Sequence, residues 1–179
     1  PDKNLNVFLK YWMPYQAITA FNVGRVASFY YWGIGRGFGF RDTAQDTIAV
    51  TISNAEKAKE RILLLSRQMR TDGKVYHHFH GDCEGEFTQH CDDPLWYMLA
   101  VTEYIKESGD LDILKNVQPF IEAGKEGTIL DHMFAVVHYA KNNLGTHGLP
   151  VFGRGDWNDT LDYIGGDEGG ESVWGGMFY

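Results

Sequence analysis

The chain is punctuated as a series of helices joined by loops of very uneven length, and that punctuation limits the fold more than any other feature. Asp92-Asp93-Pro94 opens a helix with acidic charge at its positive end and proline at the first helical position, and Gly109 stops it after Ser108. Thr128-Ile129-Leu130-Asp131 opens another, with Asp131 where a capping-box acid stands; it is predicted to run to Leu144 and to bury Ile129, Met133, Val136, Val137 and Ala140. Apolar spacing predicts further helices over 17–31, 43–53 and 55–70, the last capped by Asn54 with Glu56 in its first turn, and a short one near 111–116. Glu171–Trp174 reads as the start of one more. The sole strand expected is a short one near Gly148–Phe152. The predicted fold class is therefore all-α, a helical toroid or bundle carrying a cleft on one face.

A length of 179 residues suits one domain. With 44% hydrophobic residues there is ample material for a core, and ten Tyr, eleven Phe and five Trp exceed what a core needs. Ring-binding clefts are one destination for the excess. A formal net charge of −8 without any basic run argues against nucleic acid as a partner. No stretch of about 18 apolar residues is present, so no membrane span is expected. There is no secretory leader; the chain opens on Pro1 and closes on Tyr179, and both ends read as cut from something longer. Cys83 and Cys91 are too few for a disulfide framework and fit a reducing compartment.

The unusual residues concentrate in three loops. Gly153-Arg154-Gly155-Asp156-Trp157-Asn158-Asp159 sets two carboxylates around one indole, just after the Gly148-Leu149-Pro150 breaker. Burial beside an apolar ring and a neighbouring negative charge both raise a carboxyl pKa, so Asp159 is the candidate general acid. A tryptophan flanked by acids also suits a pyranose, whose C–H face stacks on the ring. The structural alternative is that Asp156 or Asn158 caps a helix and Trp157 is core. Trp32–Asp42 has glycine at every second position from Gly33 to Gly39, which forbids a stable helix and permits close backbone approach to a ligand. Its spacing is not the dinucleotide fingerprint. It presents Arg36 and Asp42 beside aromatic rings, either to grip hydroxyls or as a surface salt bridge; Arg25, just before it, either snorkels or faces an anion. Residues 71–93 form a long connection with His77, His78, His80, Cys83, His90 and Cys91 in spacings that match no standard zinc pattern. No metal is expected, and a connection this long is predicted to line or cover a cleft. The paired Asp92 and Asp93 are read as helix-end charges.

Three motifs in order, Gly35-Arg36-Gly37-Phe38-Gly39-Phe40-Arg41-Asp42-Thr43-Ala44-Gln45-Asp46, Asp92-Asp93-Pro94-Leu95-Trp96 and Gly155-Asp156-Trp157-Asn158-Asp159, resemble the cellobiose and cellodextrin phosphorylases, the inverting glycoside phosphorylases of glycoside hydrolase family 94. The resemblance spans nearly the whole chain. It implies that residues 1–179 are the first part of an (α/α)6 barrel catalytic domain, with a preceding β-sandwich domain and the rest of the barrel outside this chain. It places Asp159 at the general acid, Trp157 beside the sugar, Arg36 and Asp42 on the non-reducing glucosyl unit, and Arg25 in the same pocket or on phosphate. The family's main phosphate-binding residues lie outside the chain.

The implied reaction is phosphorolysis of a β-glucoside to α-glucose 1-phosphate and a shortened acceptor sugar, with inorganic phosphate as co-substrate and no cofactor. Inverting hydrolysis needs one carboxyl to protonate the leaving oxygen and a second to activate water, whereas phosphate is already an anionic nucleophile. Asp159 would then hold its proton near neutral pH, about three units above its reference value, raised by Trp157, Asp156 and bound phosphate. Two other readings remain: an inverting hydrolase using Glu84 or Glu86 as base, and a non-catalytic sugar-binding helical domain. A homodimer is implied by the family, and a cytoplasmic location by the chemistry, since sugar phosphate made outside a cell would be lost.

Overall fold

A computed structural model describes residues 2–24, 37–81, 84–161, 165 and 169–179. The first helical stretch is α1, Lys3–Val7, which continues through a π-helical turn at Phe8–Trp12 into α2, Met13–Val23. Asp2 caps it by accepting from the amides of Asn4 and Leu5. Pro14 has no N–H to return to the preceding turn, and the widened turn directly before it absorbs that loss. Gly24 ends α2 in the left-handed region at φ 59°, so the helix expected over 17–31 stops at Val23 within the described residues, and 25–31 lie outside them.

The centre of the molecule is made by α3 (Phe40–Thr51), α4 (Ala55–Ser66), α5 (Asp93–Ser108) and α6 (Ile129–Asn142). α3 packs most extensively against α5 and then α4, with Phe40, Ile62, Leu65, Tyr97, Val101 and Ile129 buried between them. The buried Tyr97 hydroxyl is satisfied by Ser66 Oγ at 2.8 Å, which keeps a large polar-tipped ring tolerable in an apolar core. The local signals act as expected. Asn54 accepts from the Lys57 amide, Gly109 closes α5 at φ 72°, and Thr128 and Asp131 form a reciprocal capping box. Leu111–Lys115 is a 3-10 turn, and α7, Val173–Phe178, is capped by Ser172.

Helices are not the whole of it, which corrects the expectation of a nearly strand-free chain. β1 (Phe38–Gly39), β2 (His78–His80) and β3 (Glu84–Glu86) form an antiparallel three-stranded ribbon, pairing Gly39 with His78 and His78 with Glu86. β4 (Val117–Pro119) and β5 (Glu126–Thr128) make a second antiparallel ribbon. These strands are two or three residues long, too short for an alternating pattern to register in the sequence. The strand expected at Gly148–Phe152 reduces to isolated bridges, Leu144 with Pro150 and Val151 with Glu171. No helix among the described residues is long and apolar enough to cross a membrane.

The capping box offers a direct check of the local reading. Thr128→Ala removes the acceptor of the Asp131 amide, 3.1 Å away, and is expected to lower stability by about 1 kcal/mol in chemical denaturation with an unchanged m value.

Candidate active site

The short ribbon brings the two distant motifs together. Pairing of β1 with β2 sets the first turn of α3, which carries Arg41 and Asp42, beside His77, whose carbonyl accepts from the Phe40 amide at 2.9 Å. The start of α5 arrives from the other side with Asp92 and Asp93. The acidic loop then lies along residues 89–91. His90 bridges to both Gly153 and Gly155, the Arg154 amide donates to Gln89 O at 3.2 Å, and the Cys91 amide donates to Gly155 O at 3.0 Å. Gly153 is required there. It has φ 60°, and a Cβ on it would come within 2.1 Å of Gln89 O.

Arg41 is the hub. Its Nη1 donates to Asp92 Oδ2 at 3.2 Å and to the Asp156 carbonyl at 3.0 Å, and its Nη2 donates to Asp159 Oδ1 at 2.5 Å. Its side chain is 9% exposed, that of Asp92 fully buried, and that of Asp159 56% exposed. One buried cation thus ties a buried acid to an accessible one. Trp96 Nε1 also donates to Asp92, at 2.9 Å. Asp93 Oδ2 meets His77 Nδ1 at 2.7 Å. The His77 and His90 rings stack 4.1 Å apart at 9°, Thr88 Oγ1 lies 2.7 Å from His90 Nδ1, and His90 Nε2 is 3.6 Å from Asp159 Oδ1.

Charge states follow from these contacts. Partial burial pushes the Asp159 pKa up, but the hydrogen bond and charge of Arg41, then His90 and His77, outweigh it and leave the group below the usual carboxylate range. The expectation that Trp157 and Asp156 raise it is therefore corrected. Asp156 is buried and satisfied elsewhere, accepting from the Asn158 amide at 2.9 Å and from Ser172 Oγ at 2.7 Å. Burial pushes Asp92 and Asp93 upward despite Arg41 and His77. For His77, burial is outweighed by Asp93 and the pKa rises; for His90, burial and the neighbouring His77 lower it. Of the stacked pair, His77 holds a proton more tightly than His90. Burial pushes the Cys91 thiol up to about 12, so it is no nucleophile.

Among the predicted residues, Asp42 and Asp159 line one small cleft with Arg41, His77 and His78. Trp157 is 53% exposed, so it is not core; its ring lies 6.4 Å from Trp174, which lies 6.4 Å from Trp96, giving a run of indoles along one side of the acidic loop. Arg25 and Arg36 lie outside the described residues. Glu84 and Glu86 stand exposed on β3 and do not line the Asp159 cleft. The connection 71–93 does line a cleft, as expected.

Asp92 and Asp93 do stand at the start of α5, as N-cap and in its first turn, but Asp92 makes no side-chain cap bond and both side chains also join the network. Arg41 carried a local signal. A cation in the first turn of a helix opposes the macrodipole and implies anionic partners from elsewhere. Ligand atoms of His77, His90 and Asp159 lie within 4.8 Å of one another. The two rings are nearly parallel at 4.1 Å, and Asp159 is already paired with Arg41.

The site is thus a half-exposed carboxylate held beside a buried cation and stacked histidines, at the edge of a helical scaffold. The chain belongs to the glycosyl hydrolase 94 superfamily: its catalytic-domain profile matches residues 1–179. Similar proteins include a cyclic beta-(1,2)-glucan synthase of Rhizobium meliloti, 33% identical over 99% of this chain and 7% of that protein. A solabiose phosphorylase of Paenibacillus borealis is 33% identical over 97% of this chain and 21% of its own length. An N,N'-diacetylchitobiose phosphorylase of Vibrio furnissii is 30% identical over 93% and 24%. The chain therefore spans no more than a quarter of these relatives.

Two outcomes test the geometry. Gly153→Ala is expected to cost at least about 1 kcal/mol, read by thermal unfolding, because both the positive φ and the contact with Gln89 oppose it. In the free protein Asp159 should titrate below an ordinary aspartate when followed by carboxyl carbon NMR. A depressed acid stabilises the fold above its unfolded value and loses that contribution as pH falls through its folded value. The stability gap between wild type and Asp159→Asn should accordingly be present at neutral pH and close in acid.

Proposed function

We propose that the intact protein is an inverting glycoside phosphorylase, a hexosyltransferase, acting on a β-glucoside with Asp159 as the group that gives and takes the proton. Membership of the glycosyl hydrolase 94 superfamily and the phosphorylases among its relatives support this. The observation that carries it is the division among the acids. Asp92, Asp93 and Asp156 are buried and bound to Arg41, His77 and Ser172, while Asp159 stands half-exposed in the cleft that Asp42 shares. Among the described acids bound to this network Asp159 is the accessible one, and phosphorolysis asks for one proton carrier.

In the proposed step a phosphate oxygen attacks the anomeric carbon opposite the leaving sugar. The glycosidic C–O bond breaks, its electrons stay on the departing oxygen, and Asp159 protonates that oxygen. In reverse, the Asp159 carboxylate takes the proton of the acceptor hydroxyl. Arg36 and Asp42 would hold the glucosyl hydroxyls, Trp157 would stack on the sugar, and Arg25 would face the same pocket or phosphate. The free site favours the ionised Asp159, and a phosphate dianion entering beside Arg41 would offset that cation and return proton affinity to the acid. The reaction needs no cofactor. We assign residues 1–179 to the first part of an (α/α)6 barrel within a longer, cytoplasmic, homodimeric protein.

Cellobiose or a cellodextrin is the proposed substrate, and the relatives' names set the range to be tested. The intact protein would be given cellobiose, cellodextrins, N,N'-diacetylchitobiose and β-1,2-oligoglucans, with and without inorganic phosphate. Sugar 1-phosphate should form with phosphate alone, and Asp159→Asn should lower turnover by roughly 10²–10⁴-fold. Free sugar released without phosphate would mean a hydrolase, and sugar binding with no turnover on any substrate a non-catalytic domain.

A further inference from the structure

The buried cation behind Asp159 has no assigned role, and its geometry gives it one. Arg41 cannot be a surface partner that swings away. Its side chain is 9% exposed, and it is anchored by Asp92, which Trp96 holds in turn, and by the Asp156 carbonyl. The guanidinium is planar, so fixing Nη1 on Asp92 and Asp156 fixes where Nη2 points, and Nη2 points at Asp159 Oδ1. Among the described residues Asp159 has only the more distant His90 besides Arg41 to orient it, being half-exposed at the start of a three-residue 3-10 turn, Asp159–Leu161.

We propose that Arg41 is the positioning residue of the site, orienting the Asp159 carboxyl over the cleft and governing the pH at which it holds a transferable proton. This rests on the reading of Asp159 as the proton carrier. The charged groups around that carboxyl can be named element by element. Arg41 and Asp42 come from the first turn of α3, and His77 and His78 from the edge of the ribbon. His90 comes from the segment before α5, Asp92 and Asp93 from the start of α5, and Asp156 from its own loop. Among the described residues, Arg41 is the one permanent cation in direct contact with Asp159. Burial and the neighbouring His77 disfavour the charged form of His90, and His77 is shared with Asp93. The remaining carboxylates oppose the effect of Arg41, and Asp92 does so most directly because it binds the same guanidinium.

Two substitutions should move Asp159 in opposite directions. Arg41→Met removes the cation, and the Asp159 midpoint, read by carboxyl carbon NMR of the intact protein and assigned by its absence in Asp159→Asn, should rise by roughly one to three pH units. Asp92→Asn is close in shape, can still accept from Trp96, and leaves Arg41 with one anion fewer, so the midpoint should fall. The same displacements should appear in kcat/KM with the glycoside that the phosphate assay identifies. The alkaline limb of phosphorolysis and the acid limb of synthesis both move up for Arg41→Met and down for Asp92→Asn. A merely structural arginine would lower activity and leave both limbs in place. Folded Arg41→Met with an unmoved midpoint overturns the proposal. If that variant does not fold, an Asp92→Asn midpoint that stays or rises overturns it. Full turnover in Asp159→Asn would instead sink the assignment of the proton carrier, whatever the NMR midpoints show.

Discussion

The buried contact between Arg41 and Asp92 is the constraint on which the rest of the site depends. Neither side chain reaches water to any extent, so each needs the other, and removing one partner of such a pair typically costs about 3–5 kcal/mol. The pair joins the first turn of α3 to the start of α5, the two helices that pack most closely. Through the Asp156 carbonyl it also holds the acidic loop. A single guanidinium thereby sets the relative position of three segments that are far apart in the chain.

Around that contact the scaffold and the chemistry divide the acids between them. Asp92, Asp93 and Asp156 are taken up by Arg41, His77 and Ser172, each buried and hydrogen-bonded as a charge in an apolar region must be. Asp159 receives the fourth corner of the network and keeps its outer face open. The result is a carboxylate whose proton affinity is set from behind by fixed groups, leaving its front for a ligand. Preorganised charge of this kind costs nothing to rearrange when a reaction begins.

The glycines and indoles of the acidic loop serve that arrangement in different ways. Gly153 allows the loop backbone to lie against Gln89 and His90, where any side chain would collide with a carbonyl. Trp157 faces outward and continues toward Trp174 and Trp96, an apolar strip beside the charged cleft. The juxtaposition of a flat apolar surface and a half-exposed carboxylate suits a ligand with one hydrophobic face and many hydroxyls. Membership of the glycosyl hydrolase 94 superfamily agrees with that pairing.

The amino-acid order alone determined the starts of α4, α5 and α6 and the end of α5, while α3 begins three residues before its expected start and α4 ends four before its expected end. Asn54, Pro94, Gly109 and the Thr128–Asp131 box act within a turn of themselves, so their effects are local and readable. It also located the acidic loop and the cleft-forming connection, and it singled out Asp42 and Asp159, which the fold places in one cleft. Tertiary structure decided the small ribbons, whose strands are too short to carry a period, and it reversed the charge argument for Asp159. From sequence, Trp157 and Asp156 stood nearest and implied a raised pKa. In the fold the group that matters is Arg41, whose partners lie 51, 115 and 118 residues away along the chain. Electrostatic energy depends on distance through space and on burial, and neither is written in local spacing.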